Sequence, residues 1–124
     1  MAKGCIDAFL DGAFNVLVNS CTGVTICNAA PTTFAEAVAT YRIAHSVTSG
    51  GNFSKANGDT NGRKVTMAQI AGISVSSTGN ANHIALVNSA GSALLYWTTC
   101  TSQQLTQGNT VTVNAWDIEI ADPT

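Results

Sequence analysis

Over residues 82–123 the chain breaks into segments built for pleated sheet and joined by residues that favour tight turns. Residues 83–87, 93–100 and 110–120 each read as a β-strand. Val, Ile, Thr, Tyr and Trp are prominent in them, and such side chains fit a pleated, half-buried surface. The Asn, Ser and Gly of residues 88–92 read as a hairpin loop. Very little in this stretch can carry chemistry. The expectation is a packing and binding module first, and a catalyst only remotely.

Upstream, residues 4–19 place Ile6, Phe9, Leu10, Ala13, Phe14 and Leu17 at three- and four-residue spacing, one face of a helix. Asp7 and Asp11 fall on the other face, Gly12 weakens the helix, and Asn19, Ser20, Thr22 and Gly23 stop it. Residues 24–27 form a short strand. Thr33 and Glu36 stand at the spacing of a capping box and predict one or two helical turns to about Val38. From Tyr41 the period is two, with Tyr41, Ile43, His45 and Val47 on one face and Arg42, Ala44 and Ser46 on the other. Residues 49–62 are polar and Gly-rich, with two Asn-Gly turn signals. A strand over 63–68 puts Val65 and Met67 on one side, another starts at Ile73 and Val75, and Gly79-Asn80 turns into the final strands. The sum is six or seven short strands in regular succession. It predicts a mainly β fold, an antiparallel β-sandwich or barrel with one N-terminal α-helix. Residues 1–124 read as a single domain, a helical arm over 1–22 followed by a β domain over 23–124. The βαβ rhythm of a nucleotide-binding sheet is absent.

Composition narrows the function. Only 10% of residues are charged, against about 25% in an average soluble protein. Thr (16), Asn (11) and Ser (10) take the polar positions. A surface of this kind hydrogen-bonds but repels weakly, which points to an assembled state; a small secreted β-protein rich in Thr and Asn is the alternative. With net charge -2 and five Lys and Arg, there is no basic stripe to neutralise phosphates, so nucleic acid is not an expected partner. No apolar run approaches the roughly 20 residues of a membrane span. Asp7 and Asp11 interrupt the apolar stretch that a signal peptide needs. The expectation is a chain made and kept in the cytosol until something else moves it.

The residues that can carry chemistry have plain structural explanations. His45 and His83 sit in predicted strands without neighbouring acids, so they read as structural and not as metal ligands. Asp117 and Glu119 alternate with Trp116, Ile118 and Ile120, the pattern of the wet face of a half-buried strand. Residues 57–62 resemble a calcium loop only loosely and read as a turn, because the spaced acids and closing Glu are missing. No phosphate-binding glycine loop or nucleophile elbow is present, and no cofactor is implied.

Cys5, Cys21, Cys27 and Cys100 are spaced unlike a zinc site. Two readings stand. In a cytosolic protein they are reduced thiols behaving as small apolar residues. Alternatively, Cys5 near the N-terminus, and Cys21 and Cys27 in turn-rich sequence, are exposed. They then pair between subunits once an assembled particle leaves the reducing cytosol.

A set of phrases resembles small uncharacterised proteins of tailed bacteriophages and prophages. They are Asn57-Gly58-Asp59-Thr60-Asn61-Gly62-Arg63-Lys64-Val65-Thr66, Asn82-His83-Ile84-Ala85-Leu86-Val87, Leu95-Tyr96-Trp97-Thr98-Thr99-Cys100, Leu105-Thr106-Gln107-Gly108-Asn109-Thr110-Val111 and Ala115-Trp116-Asp117-Ile118-Glu119-Ile120-Ala121-Asp122-Pro123. The likeness covers residues 30–123 and leaves out Cys5, Cys21 and Cys27. It implies a virion structural component and transfers no catalytic residue. The expectation is a capsid decoration or cement protein made in the bacterial host cytoplasm and located in the virion. It would bind the major capsid protein as a symmetric homo-oligomer, a trimer being one form. Phe53, Tyr96, Trp97 and Trp116 are candidate interface anchors, because aromatics dominate interface energetics, although most of them also suit a core. Phe9, Phe14 and Leu17 offer a helix face for docking on a neighbour. A neck, tail or fibre component and a carbohydrate-binding β-module are the rivals. A small hydrolase ranks last, for want of a nucleophile–base set.

Overall fold

Heptad-like spacing of Leu10, Phe14, Leu17 and Cys21 makes the first element a helix with one buried stripe. In the computed structural model, which describes residues 7–121, this helix α1 spans Asp7–Ser20. The expected helix residues before Asp7 lie outside the described residues. Nine strands follow: β1 (Gly23–Cys27), β2 (Arg42–Val47), β3 (Phe53–Asn57), β4 (Arg63–Met67), β5 (Ile70–Ser74), β6 (Gly79–Asn88), β7 (Ala93–Leu105), β8 (Thr110–Val113) and β9 (Trp116–Ile120). All named strand pairs are antiparallel.

The strands form a four-stranded sheet ordered β2-β1-β6-β7, a three-stranded sheet β3-β4-β9 and a two-stranded sheet β5-β8. The two smaller sheets and α1 cover the inner face of the large one, giving a mainly β, sandwich-like fold. None of the three sheets closes on itself, so of the two expected forms the sandwich describes it better than the barrel. Phe14, Leu17, Val24, Val65, Met67 and Leu86 pack at one end of the interior. Ile26, Ile43, Ile73, Val75, Leu105 and Val113 pack at the other. Ile70, Ile84 and Trp116 touch both clusters and make the core continuous.

β1 is central and wholly buried, because both its faces are covered. Val24 and Ile26 face the inner core. Cys27, on the other face, lies under the segment around Ala37, where its thiol meets the Ala37 carbonyl at 3.7 Å. The Thr33–Glu36 spacing makes half of the expected cap, the Glu36 N–H donating to Thr33 Oγ1 at 3.2 Å. The Glu36 carboxylate takes the N–H and hydroxyl of Thr32 instead, at 2.9 and 2.7 Å. The turns that follow are a wide helical turn over Glu36–Thr40, closed by the Tyr41 N–H on the Glu36 carbonyl.

The strict alternation expected from Tyr41 to Val47 breaks at a bulge. Ile26 lies opposite Ala44 but Cys27 lies opposite Arg42, so Ile43 is the extra residue. A bulge of this kind turns two consecutive side chains to one side. Ile43 and Ala44 are therefore both buried in the inner core, while His45 and Val47 face out on the opposite side.

Three other expectations need correction. The polar stretch 49–62 contains β3, an edge strand in which only Phe53 is buried, so no alternation of hydrophobicity announces it. Gly79 and Asn80 begin β6 and do not form a turn; a Cβ at Gly79 would come within 3.2 Å of the Ile43 side chain. The strand read over 110–120 is two strands, β8 pairing with β5 and β9 with β4, with Asn114 and Ala115 carrying the chain between sheets. The turn read at 57–62 is present. Gly62 adopts φ 72°, a left-handed conformation open to glycine, and a side chain there would run into the Ile120 carbonyl.

Candidate interaction surface

β7 is the longest strand, at 13 residues, and an edge of the large sheet. Its residues run Ala-Leu-Leu-Tyr-Trp-Thr-Thr-Cys-Thr-Ser-Gln-Gln-Leu, with no charged side chain and no proline. Natural edge strands are normally blunted by charge, proline, shortness or bulges. Elsewhere in this fold they are: β2 has Arg42, β3 has Lys55, β9 has Asp117 and Glu119, and β5 and β8 are five and four residues long. β7 has bulges, near Leu95 and between Thr99 and Gln103. Between them Tyr96, Trp97, Thr98 and Thr99 run in regular register against Leu86, Ala85, Ile84 and His83.

The register sets what each of these side chains does. Tyr96 and Thr98 share the inner face with Leu86 and Ile84. Trp97 and Thr99 lie on the outer face with Ala85 and His83. Trp97 is 46% exposed and Val47, on the opposite edge of the same face, 79%. Between them Phe34, Ala37 and Val38 cover Ala85 and Val87. The outer face is thus sealed at its centre and bare at both margins.

Across the open side of the sandwich, β7 faces β8 and β9. Tyr96 and Trp116 bridge this seam as stacked rings. On one side of the stack lies a cleft of about 380 Å³, floored by Ile26 and Ile84 and walled by residues 98–101 and 111–115. On the other lies a cleft of about 420 Å³ between α1, Leu95 and Ile118. The first cleft has no charged residue in its lining. The Trp116 Nε1–H at its wall is buried and has no acceptor among the described residues.

The second cleft carries Asp117 and Glu119 in its lining. Arg63 on β4 donates Nε–H and Nη2–H to the two carboxylate oxygens of Asp11 on α1, at 2.9 and 3.2 Å. That guanidinium holds the Asp11 carboxyl below its ordinary value. Lys64 donates to Asp59 at 2.8 Å and lies 3.6 Å from Asp117. The Thr66 hydroxyl, donating to Asp117 at 2.7 Å, and Lys64 lower the Asp117 carboxyl. Glu119 accepts the Asp59 N–H at 2.7 Å. Asp117 and Glu119 are the exposed positions of β9, as the alternation implies. They are engaged with the β3–β4 turn and with β4, and both stand at the rim of the second cleft.

Several expected anchors lie in the core. Phe14 (2% exposed), Leu17 and Phe53 are buried within their own chain and present nothing to a neighbour. The Phe9 side chain lies outside the described residues. Trp116 is half-buried under Tyr96. Trp97 is the one exposed aromatic among the named anchors that are described. Cys21 and Cys27 are buried, which corrects their expected exposure, and Cys100 is half-buried on β7. Burial raises the Cys27 and Cys100 thiols above their ordinary value. Cys5 lies outside the described residues. His45 is an exposed residue whose ring is partly desolvated; that desolvation, and then the Arg42 cation, lower its pKa. His83 Nδ1 lies 2.6 Å from Asn82 Oδ1. Among the described residues no three His, Cys, Asp or Glu groups converge as metal ligands.

One signal in the sequence marks this surface. Between Lys64 and Asp117 there is no Asp, Glu, Lys or Arg. That interval holds all of β5 to β8, so β7 and the first cleft beside it are uncharged as a block. Comparison of the chain with protein-family models, with curated proteins and with solved structures finds no match.

Proposed function

We propose that this protein is a structural component of a tailed-bacteriophage virion, a capsid decoration or cement protein. In this reading it binds the major capsid protein, assembles as a homo-oligomer and carries out no catalytic step. The observation that carries the assembled state is the uncharged margin formed by β7, with Trp97 exposed on its face and its backbone edge free. Such a margin is a surface for fitting against protein: aromatic area at low entropic cost, with unpaired N–H and C=O groups beside it. The phage assignment rests on the resemblance over residues 30–123. Each copy contributes a modest contact, and repetition over a shell multiplies it. Of the described thiols, Cys100 is the least buried, which makes it the candidate for an inter-subunit disulfide in this reading.

The test is co-sedimentation of the purified protein with shells assembled without it. Saturable binding at a fixed ratio to the major capsid protein is expected. No binding to such shells would overturn the assignment to the head, and a neck, tail or fibre position would replace it. A second reading, a carbohydrate-binding module, is favoured by one observation, the exposed Trp97 ring beside Thr99 on the outer face of the sheet. It predicts quenching of tryptophan fluorescence by glycans, lost in Trp97→Ala.

A further inference from the structure

We infer that two copies of this chain join by antiparallel pairing of β7 with β7 about a two-fold axis, making one continuous sheet across the dimer. The inference deepens the proposed reading, since it names which surface makes the homo-oligomer and with what symmetry.

A strand edge can be completed by another edge that offers the complementary row of N–H and C=O groups. Around a two-fold axis the same edge meets itself, so one surface supplies both halves and the assembly closes at two. Three features single out β7. It is long: at about 3.4 Å per residue its 13 residues extend for roughly 44 Å. It is neutral along that whole length, so a copy laid against itself brings no like charges together. The other edges of at least five residues either carry charge or, for β5, are kinked at Gly72 with φ 69° and a break in register.

The bulges locate the contact. They bracket Tyr96–Thr99, the stretch in regular register with β6, and self-pairing is best accommodated there. In antiparallel pairing, residues directly opposite one another lie on the same face of the sheet. Within this stretch that leaves two central registers. Trp97 sits opposite its own counterpart in one and opposite the counterpart of Thr99 in the other. Both bury the outer margin of the sheet and bring together two aromatic rings, or a ring and a β-branched side chain, pairs that stabilise sheets.

Sedimentation of the purified full chain over a concentration series tests this directly. The expected species is twice 12.7 kDa. The double substitution Trp97→Lys and Thr99→Lys places four like charges at the junction and should weaken association at least about tenfold. Val47→Lys, on the opposite edge of the same sheet, should leave it unchanged. Amide hydrogen exchange on the unaltered protein gives a readout free of any folding defect. Protection of residues 96–99 should rise with protein concentration, and that of β3 and β8 should not. A monomer at every concentration, or a dimer with concentration-independent exchange at 96–99, would overturn the inference. Neither result bears on whether the protein belongs to the virion, which binding to shells decides separately.

Discussion

Tyr96 on β7 and Trp116 at the start of β9 lie ring against ring, centroids 5.9 Å apart and planes inclined by 30°. The pair ties the large sheet to the three-stranded sheet at the point where the sandwich is open, and it divides the seam into its two clefts. Aromatic pairs contribute about 0.5–1.5 kcal/mol beyond the area they bury. Trp116→Ala should therefore lower unfolding stability by about 2–4 kcal/mol, less than for a fully buried Trp. Trp116→Phe keeps a ring against Tyr96 and deletes a buried N–H that has no partner, so it should cost only about 1–2 kcal/mol. Urea denaturation of both variants checks the order.

Phe14 and Trp97 make opposite predictions. Phe14 is enclosed by Leu17, Val24 and Leu86 within one chain. Phe14→Ala should cost about 3–5 kcal/mol of stability in the isolated protein. Trp97→Ala, at an exposed position, should change monomer stability by about 0.5 kcal/mol or less and act on association instead. Denaturation at concentrations low enough to suppress self-association separates the two effects.

The Asp11–Arg63 pair predicts acid sensitivity with a definite sign. Asp11 titrates below its ordinary 3.8 when folded, so the folded state favours the ionised carboxylate. Its contribution is complete above the unfolded carboxylate range. It fades as pH falls below about 3.8 towards the depressed folded value, where the acid is protonated in both states. Asp11→Asn should lower stability at neutral pH and flatten this part of the acid dependence. Equal acid dependence in variant and parent would remove the pair from the account.

Thiol chemistry should follow burial. Cys100 is half-buried, and Cys21 and Cys27 are enclosed. Alkylation of the native protein, read by peptide mass spectrometry, should label Cys100 well before Cys21 and Cys27. The latter two should react at a rate set by opening of the fold.

Much of this fold was legible where hydrophobicity alternates. Val65 and Met67 in β4, and Trp116, Ile118 and Ile120 in β9, announce both strand and face. The helix stripe through Phe14 and Leu17 is equally plain, but its amphipathic pattern does not say whether it packs within its own chain or against another. Bulges hid the rest. Nothing local marks Ile43 as the extra residue that turns His45 and Val47 outward, because a bulge depends on the partner strand. The exchange of sheets at Asn114 and Ala115 also depends on tertiary pairing. β3 was invisible because an edge strand with one buried residue needs no alternation. For the surface, the useful signal was an absence of charge spread over four strands, a pattern that no short motif captures.

Quantitative mass spectrometry of purified particles from a host producing this chain tests the central claim most directly, that the protein acts by fitting against repeated subunits of a phage shell. The account predicts a copy number on the order of that of the major capsid protein. Absence from the particles, or a copy number that is a small fraction of the capsid protein's, would contradict it.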